Sequence, residues 1–431
     1  MKTRGGKYCK FSPKKLVYFH PSTLKNMTTC TFYMMSIVLH LLTLLLFTHH
    51  TNSAPPPPPP LNIIHVDFNS TLSGHFHFGF VIGTAQRTNI QHIFQTDKEL
   101  ATLVTYSTQN ATGKQLFSNL VAAAQREFPQ YFQEVLGTAA GAQVSNVTLL
   151  VNQFREELVQ TAPELSVRQR KQGRGLCSSA FVHTSSALLL GHNDDWTQNW
   201  RGDAYWVFGR MKQMNTIDTT SNSNVTTLQF ATWVYPGYLP GMDLSWNSHG
   251  MLYSVNSLFP VQLPDPHGVG TAFVARHLLE STSMTDAIRR ASNPRVSTAM
   301  SYNLGSLNEH RLVELEVAIH GGQGQREITM GMSYFHGNLF IETNGIIQRS
   351  DPSTSSREKR WKAMQPVLDK KNVRNFLGDT KGVWPVYRNH IAPDNCYTDV
   401  TGIFDLNERT MQVWSGNPKE TEPMGEWQLD F

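Results

Sequence analysis

A glycine-rich, basic stretch that runs directly into a cysteine constrains this chain more than any other feature. Gly173-Arg174-Gly175-Leu176-Cys177-Ser178-Ser179-Ala180-Phe181 starts as a polar linker and turns apolar just after the cysteine. Two apolar runs follow, Ala180–Val182 and Ala187–Leu190, joined by the polar turn His183–Ser186 and closing at Gly191-His192-Asn193-Asp194-Asp195-Trp196. The pattern predicts a loop feeding a β-hairpin, with Cys177 as its first residue. A thiol there needs a base beside it, because an ordinary cysteine is only a few per cent thiolate at neutral pH. Cutting the Leu176–Cys177 bond would supply one from the same residue, since a free α-amino group titrates at about 7.7–8.0. The alternative is a buried structural cysteine.

Charge has to be read in two parts. The chain of 431 residues carries a formal +4, but residues 1–53 hold seven Lys/Arg and no Asp/Glu. The remainder therefore has 30 basic and 33 acidic residues, a formal −3, and nothing in it points to nucleic acid. Basic residues from Lys2 to Lys25, the apolar run Met34–Phe47 and Thr51-Asn52-Ser53-Ala54 have the form of a signal peptide. Read as residues 30–48, the apolar stretch could instead be an uncleaved anchor, the only route by which this protein would associate with a membrane. Either reading delivers the rest to the lumenal or secreted side. Sequons at Asn69, Asn110, Asn146 and Asn224 agree with that. Of four cysteines, Cys9 and Cys30 precede or lie in the leader, leaving Cys177 and Cys396. These two could form one disulfide, but they are too few for a disulfide framework, which favours a free thiol with a chemical role.

Four regions follow from the pattern: a leader (1–53), a proline-rich linker (54–77), a helical segment (78–176) and a larger part starting at Cys177 (177–431). Pro55–Pro60 is a stiff polyproline spacer. Glu99–Thr105, Lys114–Gln125, Gln130–Leu136 and Thr148–Gln160 place apolar residues at helical spacing, with Gly137 and Gly141 read as stops. Val167–Gly175 is an exposed linker that a trypsin-like protease could also cut. Strands are predicted at Ala204–Met211, Thr227–Val234, Gly250–Val255, Arg311–Ile319, Ser333–Glu342, Asp399–Asp405 and Thr410–Trp414. Helices are predicted at Thr271–Leu279, Met284–Ala291, Ser356–Gln365 and Val373–Leu377. On pattern alone the class is mixed α and β.

The run Cys177-Ser178-Ser179-Ala180, with Asn193-Asp194-Asp195 following the hairpin, resembles the acyl-CoA:isopenicillin N acyltransferase family of self-processing cysteine hydrolases, peptidase family C45. The likeness continues through Tyr235-Pro236-Gly237-Tyr238-Leu239-Pro240-Gly241, Asn247-Ser248-His249-Gly250 and Ser254-Val255-Asn256. It ends at Gly402-Ile403-Phe404-Asp405-Leu406 and Asn417-Pro418-Lys419-Glu420-Thr421-Glu422-Pro423, so it spans about Phe78 to Pro423. The resemblance implies an α+β fold, the four-layer αββα sandwich of N-terminal nucleophile hydrolases, preceded by a helical pro-segment. It implies a precursor cut between Leu176 and Cys177 into an α/β heterodimer, although the family often has glycine where this chain has Leu176.

The same resemblance assigns roles. Cys177 would be nucleophile and, through its new amine, base. Asp195 matches the carboxylate that orients the ammonium; its neighbour Asp194 would face the other way on an extended strand. Asn256 matches an oxyanion-hole amide, a donor whose loss typically costs about 10²–10³ in rate. Ser356, Arg357 and Arg360 match a Ser-Arg-x-x-Arg element, with Arg357 holding the site or meeting an acyl carboxylate. His336-Gly337-Asn338 resembles a family His-x-Asn element, with no catalytic role assigned. The bland readings are a solvated turn for Asp195, a backbone-satisfying amide for Asn256 and a solvated helix residue for Arg360; His249 sits in an ordinary turn. Histidine spacing offers no metal site, there is no phosphate loop, and no cofactor is expected. The implied activity is hydrolysis of a small N-acylated amine, β-alanyl-conjugated amines among them, through a thioester. Acyl transfer to an amine and a non-catalytic secreted binding protein are the alternatives.

Overall fold

The computed structural model describes residues 61–163, 165, 177–197, 200–213, 226–292 and 295–431. The leader, the proline run, the cleavage segment through Leu176 and the sequon at Asn224 lie outside the described residues.

Strand β1 (Ile63–Asn69) is followed by helices α1 (Leu72–Ala85), α2 (Arg87–Thr96), α3 (Lys98–Gln109), α4 (Ala111–Glu127), α5 (Pro129–Ala142), α6 (Asn146–Gln153) and α7 (Arg155–Thr161). Then come β2 (Cys177–His183), β3 (Leu188–Trp196), β4 (Tyr205–Gln213), β5 (Thr226–Val234), β6 (Ser245–Asn247) and β7 (Met251–Ser257). Helices α8 (Thr271–Leu278) and α9 (Met284–Ser292) lead into β8 (Met300–Ser306), β9 (Arg311–Val317), β10 (Gln323–Glu327) and β11 (Met332–His336). Helices α10 (Pro352–Ala363) and α11 (Lys370–Leu377) precede β12 (Tyr397–Asp405), β13 (Thr410–Trp414) and β14 (Gly425–Gln428).

The strands form two sheets, one ordered β1-β4-β5-β6-β7-β8-β9-β10 and the other β11-β2-β3-β12-β13-β14. Side-chain alternation sorts their residues into three apolar layers. Leu228 and Phe230 of β5 face the N-terminal helices with α8 and α9, whereas Ala231 and Trp233 face the second sheet. On β2 and β3, Phe181, Leu188 and Leu190 pack between the sheets, while Ala180, Val182 and Leu189 pack outward on Trp361 of α10 and Phe376 and Leu377 of α11. Helices, sheet, sheet, helices is therefore the layer order, the αββα sandwich that the resemblance implied. The outer helices start on side-chain caps: Asp351 accepts from Ser353 and Thr354 N–H, and Asp369 from Asn372 N–H.

Four local readings change. Ile63–Asn69, inside the stretch read as linker, is a strand that pairs parallel with β4 and buries Ile64, Val66 and Phe68. The proline run drew attention away from that period-two pattern. Gly137 and Gly141 do not stop a helix; they lie inside α5 where it crosses α1. A Cβ at Gly137 would sit 2.0 Å from the Phe76 carbonyl oxygen, and one at Gly79 of α1 would sit 2.0 Å from that of Glu134. These glycines are there for close approach of two backbones. Finally, Thr148–Gln160 is two helices, broken at Phe154, and the strand expected over Ser333–Glu342 stops at His336.

Candidate active site

The pleat of β2 and β3 builds the site. Odd residues of β2 and even residues of β3 face the space between the sheets, so Cys177, Ser179, His192 and Asp194 share one side. Cys177 is directly opposite Asp194 in the antiparallel register, and its Sγ lies 3.6 Å from Asp194 Oδ1. Asp194 is held in turn by the Tyr235 hydroxyl, which donates to Oδ2. Asp243 stands beside Asp194, and 3.7 Å from His192 Nε2. Burial, with Asp194, Asp195 and Asp243 near, pushes the Cys177 thiol well above its usual range. Burial alone pushes His192 down to about 3, so it stays neutral.

The residues read from the sequence fall on both sides of this sheet. Asp195 points to the opposite side of the sheet, where its Oδ1 accepts from Thr398 Oγ1 at 2.5 Å and its Oδ2 lies 3.1 Å from Arg388 Nε. Burial pushes its carboxyl up to about 8 in spite of Arg388 and Arg357. The carboxylate beside the thiol is Asp194, because adjacent strand residues take opposite faces. Asn256 does reach the site, yet its amide nitrogen donates to the Gly337 carbonyl at 3.0 Å and its Oδ1 accepts from Ser179 Oγ at 2.8 Å and Asn303 Nδ2 at 2.7 Å. The donor expected at an oxyanion is thus committed elsewhere. Ser356 is half-buried and turned toward Gly382; Ser353 and Thr354 take the inward positions of α10.

Arg357 is fully buried and ties the start of β2 in place. It donates to the Cys177 carbonyl, to Ser178 Oγ at 2.9 Å, to Asn338 Oδ1 at 2.9 Å and to Thr354 Oγ1 at 3.0 Å. Asn338 Oδ1 also accepts from the Cys177 backbone nitrogen at 3.2 Å. Asn338 is therefore the residue nearest the atom that cleavage would free, a position that its place in His336-Gly337-Asn338 marked without explaining. The segment is anchored from below. His336 Nε2 lies 3.1 Å from Glu316 and 3.3 Å from Glu314, and Glu316 accepts from the backbone N–H groups of Ile341, Glu342 and Thr343. Arg360 pairs with Asp379, away from the thiol. Cys396 is free and packs against Cys177, with Trp196 and Phe259 beside them.

A pocket opens over Cys177 and Asp194, walled by Trp196, Trp200, Tyr235, Tyr238 and Met242. Gln153, Arg155 and Glu156 from α6 and α7 also line it, so the helical segment before Cys177 borders the same pocket as its thiol. None of these wall residues was legible as such. The motif Tyr235-Pro236-Gly237-Tyr238 was visible, but nothing local says what it faces.

A model of the acyl-coenzyme A:6-aminopenicillanic acid acyl-transferase family matches residues 182–420, more than half of the chain. The chain belongs to this family. Its match starts just after the nucleophile position, on β2. The chain is 28% identical over 367 residues to the beta-alanyl-dopamine/carcinine hydrolase of Drosophila melanogaster, an alignment that covers 82% of this chain and 93% of that one. Among solved structures it is similar to penicillin V acylase from Agrobacterium tumefaciens (13% identity, 56% and 83% of the chains, TM-score 0.31). It is also similar to a conjugated bile acid hydrolase from Clostridium perfringens (9% identity, 57% and 95%, TM-score 0.34). The family members found are amide hydrolases and acyltransferases, and this chain is an enzyme of that kind.

Proposed function

We propose that the protein is a self-processing cysteine amidohydrolase that cleaves a small N-acylated amine, of the β-alanyl-amine type, in the secretory pathway or outside the cell. The observation that carries this reading is the placement of Cys177: first residue of a strand, Sγ in an aromatic-walled pocket, backbone nitrogen against Asn338. In the uncut chain that nitrogen is an amide and cannot act as a base, while burial keeps the thiol protonated. Cleavage before Cys177 turns it into an amine that takes the thiol proton. Sulfur then bonds to the substrate carbonyl carbon, the C–N bond breaks, and the departing amine leaves with the proton. Water adds to the thioester and releases the acid and the free thiol. Stabilising the oxyanion requires Asn256 to exchange its bond to the Gly337 carbonyl for one to the substrate, with a backbone N–H as the second donor. Hydrolysis is preferred over transfer because the relative with the more extensive match is named a hydrolase.

The test is intact mass of deglycosylated protein from a secreting host, wild type against Cys177→Ala, followed by assay on N-acyl aromatic amines. A fragment beginning at Cys177 in wild type alone, with amide cleavage, is the expected result. Both chains staying whole, or both cut within residues 167–174, would remove the free-amine mechanism.

A further inference from the structure

The face of β3 that carries Asp194 holds a negative charge with no basic partner. Buried carboxylates elsewhere near the site are matched: Asp195 by Arg388, and Asp399 by Arg201 at 3.9 Å. Asp194 and Asp243 are 8% and 2% exposed, and among the described residues no lysine or arginine pairs with either. Asp243 lies beside Asp194, and His192 Nε2, 3.7 Å from Asp243 Oδ1, belongs to a neutral ring. A buried pair of carboxylates sharing one proton leaves one net negative charge, and such a charge is costly until something compensates it. In the uncut chain this charge borders the pocket over Cys177.

We propose that Asp194, backed by Asp243, is the specificity-determining residue of this enzyme, binding a positively charged ammonium on the acyl group of the substrate. The inference rests on the amide-hydrolase reading and names the acyl class within it. Asp194 Oδ1 is 3.6 Å from Sγ, the atom that would bond to the carbonyl carbon. In a β-amino acyl group the ammonium stands about 4 Å from that carbon by standard bond lengths, within hydrogen-bond reach of a carboxylate so placed. A neutral acyl chain of equal length would bury the charge beside a methyl group. Trp200, Tyr235 and Tyr238 remain for the amine side, which they suit if it is aromatic. The Tyr235 hydroxyl donates to Asp194 Oδ2, while Oδ1 accepts from the Cys177 thiol and would turn to the ammonium once that proton has left.

The experiment compares the β-alanyl and butyryl anilides, which differ only by ammonium against methyl, in the purified full-length protein. The ratio of their kcat/KM values does not depend on how much enzyme has been processed. Wild type is expected to favour the β-alanyl anilide by about 10- to 100-fold, the worth of one charge-assisted hydrogen bond. Asp194→Asn is expected to bring the ratio close to one, while Asp243→Asn keeps the preference, since Asp194 then carries the whole charge. An equal loss on both substrates in Asp194→Asn would assign Asp194 to the nucleophile and overturn the proposal, as would a wild type without preference. Calorimetric binding of β-alaninamide against butyramide to the Cys177→Ala chain needs no catalysis. Tenfold tighter binding of the cation supports the assignment and equal binding overturns it. A wild type that cleaves neither anilide but still prefers β-alaninamide would sink the hydrolase reading and leave the cation site standing.

Discussion

Gln153 offers a direct test of whether the N-terminal helices shape the substrate pocket. It lies at the end of α6, 3% exposed, and grips the loop that carries Tyr235 and Tyr238. Its Nε2 donates to the Gly237 carbonyl at 2.6 Å, and its Oε1 accepts from Leu239 N–H at 2.8 Å. Gln153→Leu keeps the volume and removes both bonds. Leu239 N–H, inside the protein, would be left without its acceptor, at a cost of about 1–3 kcal/mol. The Gly237 carbonyl still accepts from Asn152 Nδ2 at 3.0 Å, so its loss costs nearer 1 kcal/mol. The sum is about 2–4 kcal/mol, read as a lower midpoint in urea unfolding with unchanged slope. The loop then relaxes, Tyr235 loses its seat on Asp194, and the aromatic wall opens. KM for an N-acyl anilide is expected to rise about tenfold, as for the loss of roughly 1.4 kcal/mol of binding, with a smaller change in kcat. A variant that loses the stability but keeps the wild-type KM would refute the coupling between these helices and the pocket. Unchanged stability would refute the hydrogen-bond argument itself.

Two further outcomes follow from the same structure. Arg357→Lys replaces a planar fork that meets four acceptors with one ammonium that cannot. With the start of β2 loosened, kcat/KM should fall about 100-fold while the unfolding transition persists; activity within tenfold of wild type would contradict the positioning role. Glu157 is buried, accepts from Thr271 N–H at 2.8 Å, and is pushed by burial up to about 7. Between its unfolded value of 4.5 and 7 the folded chain holds a proton that the unfolded chain has released, so stability falls as pH rises through this window. The stabilisation is fully present below 4.5, and Glu157→Gln should flatten the slope in urea unfolding between pH 5 and 7. An identical pH profile in the variant would remove Glu157 from the account.

Much of the architecture was written locally. The hairpin of β2 and β3 follows from two short apolar runs around a polar turn, and Cys177 stands at its start as the pattern required. Helices α3, α4, α8 and α9 follow from apolar spacing, because one face of each is buried in the core under the first sheet. Elements whose signals are not local were missed. β6 has three residues and β8 is polar in its second and fourth positions, Ser301 and Asn303, since those side chains turn inward to Glu314 and Asn256. The glycines of α1 and α5 resemble stops until a second helix is laid across them.

For the site the division is sharper. By itself the sequence determined that a cysteine opens a strand, that two consecutive aspartates stand near the end of its partner strand, and that these must face opposite ways. Which aspartate meets the thiol depends on which face of the second sheet receives the first and which receives α10 and α11, and only the packed sandwich decides that. It places Asp194 beside the Cys177 thiol and Asp195 against Arg388. The same holds for Asn338, 161 residues from Cys177 in the chain, and for Gln153 against the Tyr235 loop. Pleat and periodicity are set between neighbours, whereas an active site is set by which surfaces bury one another.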